Sequence, residues 1–309
     1  MRLRIHESGG RASVAVMSWL LSITMATGCL PGRRAAREGG GRVLLSHVVC
    51  AAWAPDGDGI GVIIGSDLNP WKRRLAVCHA DGEGLRFVGE PGFWVGPLVW
   101  KSDGRELFVN LRETASRLPQ VWQVSVYGET SRRLTRSGGL AFGYRAGADE
   151  LLLVMERDGI REFDRLSLPD KRLHAVPAAA APLSPPAYDM ASDSILYASA
   201  IEPEQPDSMV RLHLLDLAAG TDSVCVPRLD APAGMTLEPG GARLAVLALR
   251  SDATCLALAA RSGSSLVRVV RCWPGSGDML AWPDWRPGDD RLLMVDHAHD
   301  GQLISLTME

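Results

Sequence analysis

The chain has 309 residues, of which 46% are apolar and 22% charged, and its formal net charge is −3. That length and core-forming composition fit two domains or one large repeat array. With no basic excess to neutralise phosphates, nucleic-acid binding is excluded as the main role, and the scattered 32 glycines and 19 prolines exclude collagen-like and disordered classes.

The first thirty residues form a leader. Arg2, Arg4 and Arg11 precede an uncharged stretch, Ala12 to Gly28, that contains Val14, Val16, Trp19, Leu20, Leu21 and Ile23. A basic region, an apolar region and a small-residue end read as an export signal, and the stretch is short for a bilayer span. Its end, Met25-Ala-Thr-Gly-Cys29, resembles a bacterial lipobox, although Ala26 stands where leucine is usual. The resemblance implies lipidation at Cys29 and an envelope address. A plain signal or an uncleaved anchor is the alternative, and Arg33, Arg34 and Arg37 count against export. The expected organisation is a signal over 1–28, a flexible tether over 29–41 and a folded domain over 42–309. The remaining cysteines, Cys50, Cys78, Cys225, Cys255 and Cys272, form no C-x-x-C pair. They read as buried free thiols; one disulfide is compatible with them, but its partners are not deducible.

An internal repeat fills the rest. Trp53-Ala-Pro-Asp-Gly-Asp-Gly-Ile60 recurs as Trp100-Lys-Ser-Asp-Gly-Arg-Glu-Leu107 and as Trp285-Arg-Pro-Gly-Asp-Asp-Arg-Leu292. Degraded copies pair Tyr144 with Leu151, Tyr188 with Ile195 and Leu237 with Leu244. The anchors lie 47, 44, 44, 49 and 48 residues apart, within the range of propeller blades. An offset of seven is what a four-residue turn produces when anchor and aliphatic face each other across a hairpin. Pro55 presets φ and a glycine such as Gly57 closes the turn. Gly147 serves the third turn, and Met190–Asp193 lacks a glycine.

Each hairpin is followed by an alternating third strand (Leu75–Cys78, Val121–Val126, Cys255–Leu258) and a short fourth one (Leu85–Val88, Arg132–Thr135, Val267–Val270). The sixth unit ends after its third strand, Leu303–Leu306. Val43-Leu44-Leu45, just before the first anchor, supplies the missing fourth. The prediction is an all-β, six-bladed β-propeller of four-stranded antiparallel blades, closed by an N-terminal strand that removes the open edges.

These Trp-x-Pro-Asp-Gly blades resemble those of TolB-like β-propellers over residues 42–309. The resemblance implies the fold and a habit of binding partners, and no activity. TolB itself carries an α/β domain before its propeller that has no room here, so membership of the Tol system is not implied. Related propellers cap prolyl-oligopeptidase-type peptidases, whose G-x-S-x-G elbow is not found.

Chemistry is sparse. There is no H-E-x-x-H and no G-x-x-x-x-G-K-[ST], and the acidic residues Asp56, Asp103, Asp149 and Asp289 are explained by turns. His297 and His299, spaced i, i+2, form a weak metal candidate without a third histidine. No cofactor is expected. Connections between second and third strands emerge on the same face as the links between blades. Trp71, Arg112 and Arg117 in the connections, with Trp94 and Trp273 in the links, make the candidate partner-binding face, since aromatic and arginine side chains dominate contact surfaces. The expected protein is a monomer, non-catalytic, that binds a protein or envelope ligand at the cell envelope. The alternative is an enzyme of polysaccharide lyase or glycosidase type, with its site at the axial channel.

Overall fold

The computed structural model describes residues 41–308, apart from 66–67, 114–118, 129, 137, 184–185, 202–208, 231, 241–242, 250–252, 261–265, 275–279 and 298–299. Cys29, Arg117 and His299, like the whole leader and most of the tether, lie outside these residues. Among the described residues no helix is long and apolar enough to cross a membrane.

Among the described residues, twenty-four strands form six four-stranded antiparallel sheets. Blade one comprises β2 (Val48–Trp53), β3 (Gly59–Ile64), β4 (Arg73–His79) and β5 (Arg86–Gly92). Blade two follows with β6 (Trp94–Trp100), β7 (Glu106–Leu111), β8 (Gln120–Ser125) and β9 (Ser131–Arg133), and blade three with β10 (Leu140–Arg145), β11 (Glu150–Arg157), β12 (Ile160–Ser167) and β13 (Leu173–Val176). Blade four holds β14 (Ala187–Asp189), β15 (Ser194–Ala200), β16 (Met209–Asp216) and β17 (Thr221–Asp230). Blade five holds β18 (Pro232–Leu237), β19 (Arg243–Leu249), β20 (Ala253–Ala260) and β21 (Leu266–Pro274). Blade six takes β22 (Leu280–Trp285), β23 (Arg291–Asp296) and β24 (Gln302–Thr307) from the C-terminus and β1 (Arg42–Leu45) from the start of the fold.

The hairpin register is the one the repeat predicts. Trp53 faces Ile60, Trp100 faces Leu107, Tyr144 faces Leu151, Tyr188 faces Ile195, Leu237 faces Leu244 and Trp285 faces Leu292. Closure also follows the prediction: β1 runs antiparallel to β24 with Val43 opposite Ile304. The first strand of every blade touches the first strand of the next, from β2 through β6, β10, β14, β18 and β22 back to β2. The ring is shut.

The repeat cannot bury both faces of one sheet, so the molecule has six cores, each between two blades. The anchors explain how. Each reaches back onto the preceding blade: Trp53 packs with Leu293 and Val295 of blade six, Leu237 with Leu196 and Ala198 of blade four, Trp285 with Ala245 and Leu247 of blade five. The Trp100 indole N–H donates to the Ala52 carbonyl of blade one at 3.2 Å, and its ring comes within 3.2 Å of where a Cβ on Gly61 would stand. Gly143 is likewise bare because Tyr188 rests against it. Small residues on one blade thus make the socket for the next blade's anchor. Truncating such a buried aromatic costs about 3–5 kcal/mol.

The hairpin turns are also tied blade to blade. Arg145 spans from blade three to Asp193 of blade four (2.5 Å), Arg243 pairs with Asp290 of blade six, and Arg286 donates to the Gly57 carbonyl of blade one (2.9 Å).

Three expectations need correction. The third turn does not close on Gly147; Asp149 takes the left-handed conformation (φ 50°), and Asp193 does so in the fourth turn (φ 49°), where blades one and two use Gly57 and Gly104. Aspartate tolerates that region because its short polar side chain bonds locally. The cysteines are not all free, since Cys255 and Cys272 face each other across β20 and β21 and form a disulfide. Strand β21 continues past Val270 to Pro274, so the same extension moves Trp273 from a link into a strand.

Candidate functional site

Links between blades and connections between second and third strands do share one face. The Arg112 N–H donates to the Phe93 carbonyl (3.0 Å), Gly139 N–H to Pro119 (2.9 Å) and Leu183 N–H to Ala198 (2.9 Å). On this loop face, four residues from blades one and two meet. Phe93 is the single-residue link between β5 and β6. Trp71 sits in a 3-10 turn over Pro70–Lys72, Arg73 opens β4, and Arg112 follows β7 directly.

Their geometry is centred on Phe93. The Trp71 ring packs edge-on against it, centroids 4.8 Å apart, while the guanidinium carbons of Arg73 and Arg112 lie 5.3 and 5.1 Å from its centroid. Arg73 is buried and donates to the Trp94 carbonyl at 3.2 Å. Arg112 is half-buried; its Nε has no acceptor, and among the described residues no carboxylate pairs with it. Partial burial, reinforced by the charge of Arg73, makes the protonated form of Arg112 less favourable than usual. Trp71 is 44% exposed.

The other proposed contact residues lie differently. Trp94 is 5% exposed, belongs to the core between blades one and two, and donates its indole N–H to the Glu90 carbonyl. It supports the cluster from beneath and offers no contact surface. Trp273 is half-buried on β21, opposite Thr254, against the core between blades five and six. His297 directly follows β23 and has a partner of its own; among the described residues no group of three metal-ligating side chains converges.

Two constellations escaped sequence reasoning. In blade four, Ser199 Oγ lies 2.9 Å from His213 Nε2, and His213 Nδ1 lies 3.2 Å from Asp222 Oδ1. The other oxygen of Asp222 accepts the Tyr197 hydroxyl and the Ala179 N–H of the link from blade three. The connectivity is that of a catalytic triad, yet Ser199 is 3% and His213 6% exposed, and the imidazole stacks on Tyr197 (4.7 Å). A nucleophile needs an open approach. Here the network clamps blade three's link to blade four. Tyr197 faces His213 across β15 and β16, so the hairpin register was the available signal.

The second is Asp284 on the innermost strand of blade six. It accepts the Trp53 N–H of blade one at 2.7 Å, and burial pushes its carboxyl up to about 7. Its position directly before an anchor is filled elsewhere by Ala52, Val99, Gly143, Ala187 and Thr236, so the one ionisable residue in that series was the legible sign. The six innermost strands carry no histidine, lysine or glutamate. A separate cleft of about 530 Å³ opens where β1 meets blade one, lined by cations and carboxylates together, among them Arg42, Arg291, Asp58 and Asp81.

A closed ring of six four-stranded blades with apolar cores between them defines the class: a six-bladed β-propeller. The fold is that of the TolB-like propellers. TolB of Acinetobacter baumannii superposes with a TM-score of 0.64 at 12% identity over 78% of this chain and 57% of that one; the chain thus spans little more than half of that protein. A TolB-type protein of Agrobacterium tumefaciens gives 0.61 at 12% identity, covering 85% of this chain and 91% of its own. A structure of the nidogen/laminin complex gives 0.55 at 13% identity over 74% and 81%. No family model matches the sequence, and no curated protein does either.

Proposed function

We propose that the protein is a non-catalytic interaction propeller of the cell envelope, which presents its loop face to a protein partner. The observation that carries this reading is the exposed Trp71 braced on Phe93 between two arginines, a combination of residue types typical of contact hot spots. One structural neighbour is a propeller seen in a protein complex, nidogen with laminin. An axial enzyme site would need converging acid and base groups; the innermost strands carry Asp189, Asp284 and Arg145 but no histidine, lysine or glutamate to work with them. The sealed Ser199 network supports the same conclusion.

The envelope address rests on two supports. The leader has the form of an export signal with Cys29 as the lipidated residue, and the Cys255–Cys272 bridge suits an oxidising compartment. The tether over 29–41 then holds the ring, as a monomer, close to a membrane.

The test is cross-linked capture from envelope extracts. Trp71→Ala loses the captured partner, whereas a substitution on the opposite, turn-bearing face retains it; retention by both variants sinks the assignment. Phase partitioning in detergent with Cys29→Ser tests the anchor: the parent enters the detergent phase and the variant stays in the aqueous one.

A further inference from the structure

The Phe93 cluster carries more than a generic contact. Arg112 reaches the surface from a β-strand end, is shelved on an aromatic ring, and meets a second guanidinium on the same ring. Several arginines elsewhere are paired with carboxylates: Arg145 with Glu150 and Asp193, Arg243 with Glu238 and Asp290, Arg286 with Asp289. At Arg112 no such carboxylate is provided among the described residues, and burial with a neighbouring cation already makes its charge costly. A guanidinium held in that way gains most from an incoming planar anion that accepts from two N–H groups at once.

We infer that Arg112 receives a side-chain carboxylate from an acidic segment of the protein partner, with Trp71 covering the aliphatic part of that segment. This assignment rests on the loop face being the contact surface. Charge complementarity selects the carboxylate, and the broad exposed ring of Trp71 on an open surface, outside the seam cleft, selects a polypeptide over a small free acid. The Phe93 ring, 5.1 Å from the guanidinium carbon, restrains the side chain, so the carboxylate meets a partly preorganised fork and less side-chain entropy is lost.

The probe is a fluorescein-labelled hexaglutamate amide, with hexaglutamine amide as its neutral counterpart, followed by anisotropy. The parent binds hexaglutamate and not hexaglutamine. Arg112→Gln weakens binding about tenfold, as expected for a charge-assisted bidentate contact, and Arg112→Lys recovers only part of the loss because it keeps the charge but not the fork. Arg132→Gln, which removes an equal charge from the outer strand β9, leaves binding unchanged. No binding by the parent, equal binding by Arg112→Gln, or an equal loss in Arg132→Gln overturns the inference. Displacement of the peptide by inorganic phosphate at comparable concentration also overturns it, since the site would then serve a free anion. Should Arg112→Gln fold poorly, Arg112→Lys decides, because unimpaired binding by it removes the role of the fork. Captured partner that depends on Trp71 but not on Arg112 would keep the contact face and discard the carboxylate; dependence on neither discards both.

Discussion

The hydroxyl of Tyr188 donates to the carboxylate of Asp193 at 2.9 Å, five residues along the same hairpin. Blade three repeats the arrangement with Tyr144 and Asp149 at 2.7 Å. In these two blades the anchor has changed from tryptophan to tyrosine and the left-handed turn residue from glycine to aspartate, and the two changes serve each other. The aspartate takes the turn conformation that glycine holds elsewhere, and its side chain satisfies the hydroxyl the new anchor brings into the interior. Arg145 joins the same carboxylate from the neighbouring blade.

Asp193 therefore carries a pH-dependent part of the stability. The Arg145 hydrogen bonds, aided by Tyr188, hold its carboxyl below the ordinary range. A depressed carboxyl contributes stability that is present above its unfolded value and lost as pH falls through its folded one. Asp193→Asn removes that contribution at neutral pH, costing about 1–3 kcal/mol with a charged hydrogen bond gone. Urea midpoints measured from pH 7 down to pH 2 should draw together for parent and variant as the pH falls below about 4; a constant gap across the range would refute the linkage.

Asp284 has the opposite sign. Burial raises its carboxyl to about 7, so the folded state holds the proton more tightly than the unfolded chain does. Stability then falls as pH rises from about 4 towards 7, by at most about 4 kcal/mol for a shift of this size. Asparagine keeps an acceptor for the Trp53 N–H and never ionises. Asp284→Asn should match the parent near pH 4 and exceed its thermal midpoint at pH 8. A variant less stable at both pH values would show that the ionised carboxylate is needed.

Ring closure predicts a covalent trap. Val43 and Ile304 are direct partners across β1 and β24. Val43→Cys with Ile304→Cys should cross-link under mild oxidation, and closing so long a loop should raise stability by up to about 5 kcal/mol on the chain-entropy account. Peptide mapping reads the bond. Equal cross-linking of Val43→Cys with Met294→Cys, which lies on β23 one strand further in, would mean that the seam is not fixed.

The Ser199–His213–Asp222 network should be structural. Asp222→Ala strands His213, the Tyr197 hydroxyl and the Ala179 N–H together, and loses about 2–4 kcal/mol in chemical denaturation. Ser199 should remain unlabelled by a fluorophosphonate in the native protein. Stoichiometric labelling would instead make blade four an enzyme site.

The sequence alone determined the blade number, the hairpin register and the strand that closes the ring, because each rests on local facts: a seven-residue offset set by turn geometry, a period near 47 residues and an unfilled strand position at one end. It also supplied the residue types of the loop face, from Trp71 to Arg112. Tertiary structure decided which of them meet. Whether Trp94 faces solvent or core depends on the socket the neighbouring blade provides, and whether Cys255 reaches Cys272 depends on bulges in β21 that shift the pairing. The link between Asp284 and Trp53 spans 231 residues, and the Arg73–Phe93–Arg112 stack draws on two blades. Such contacts arise only after the ring closes, since local propensity and spacing carry no information about which side chains packing forces together.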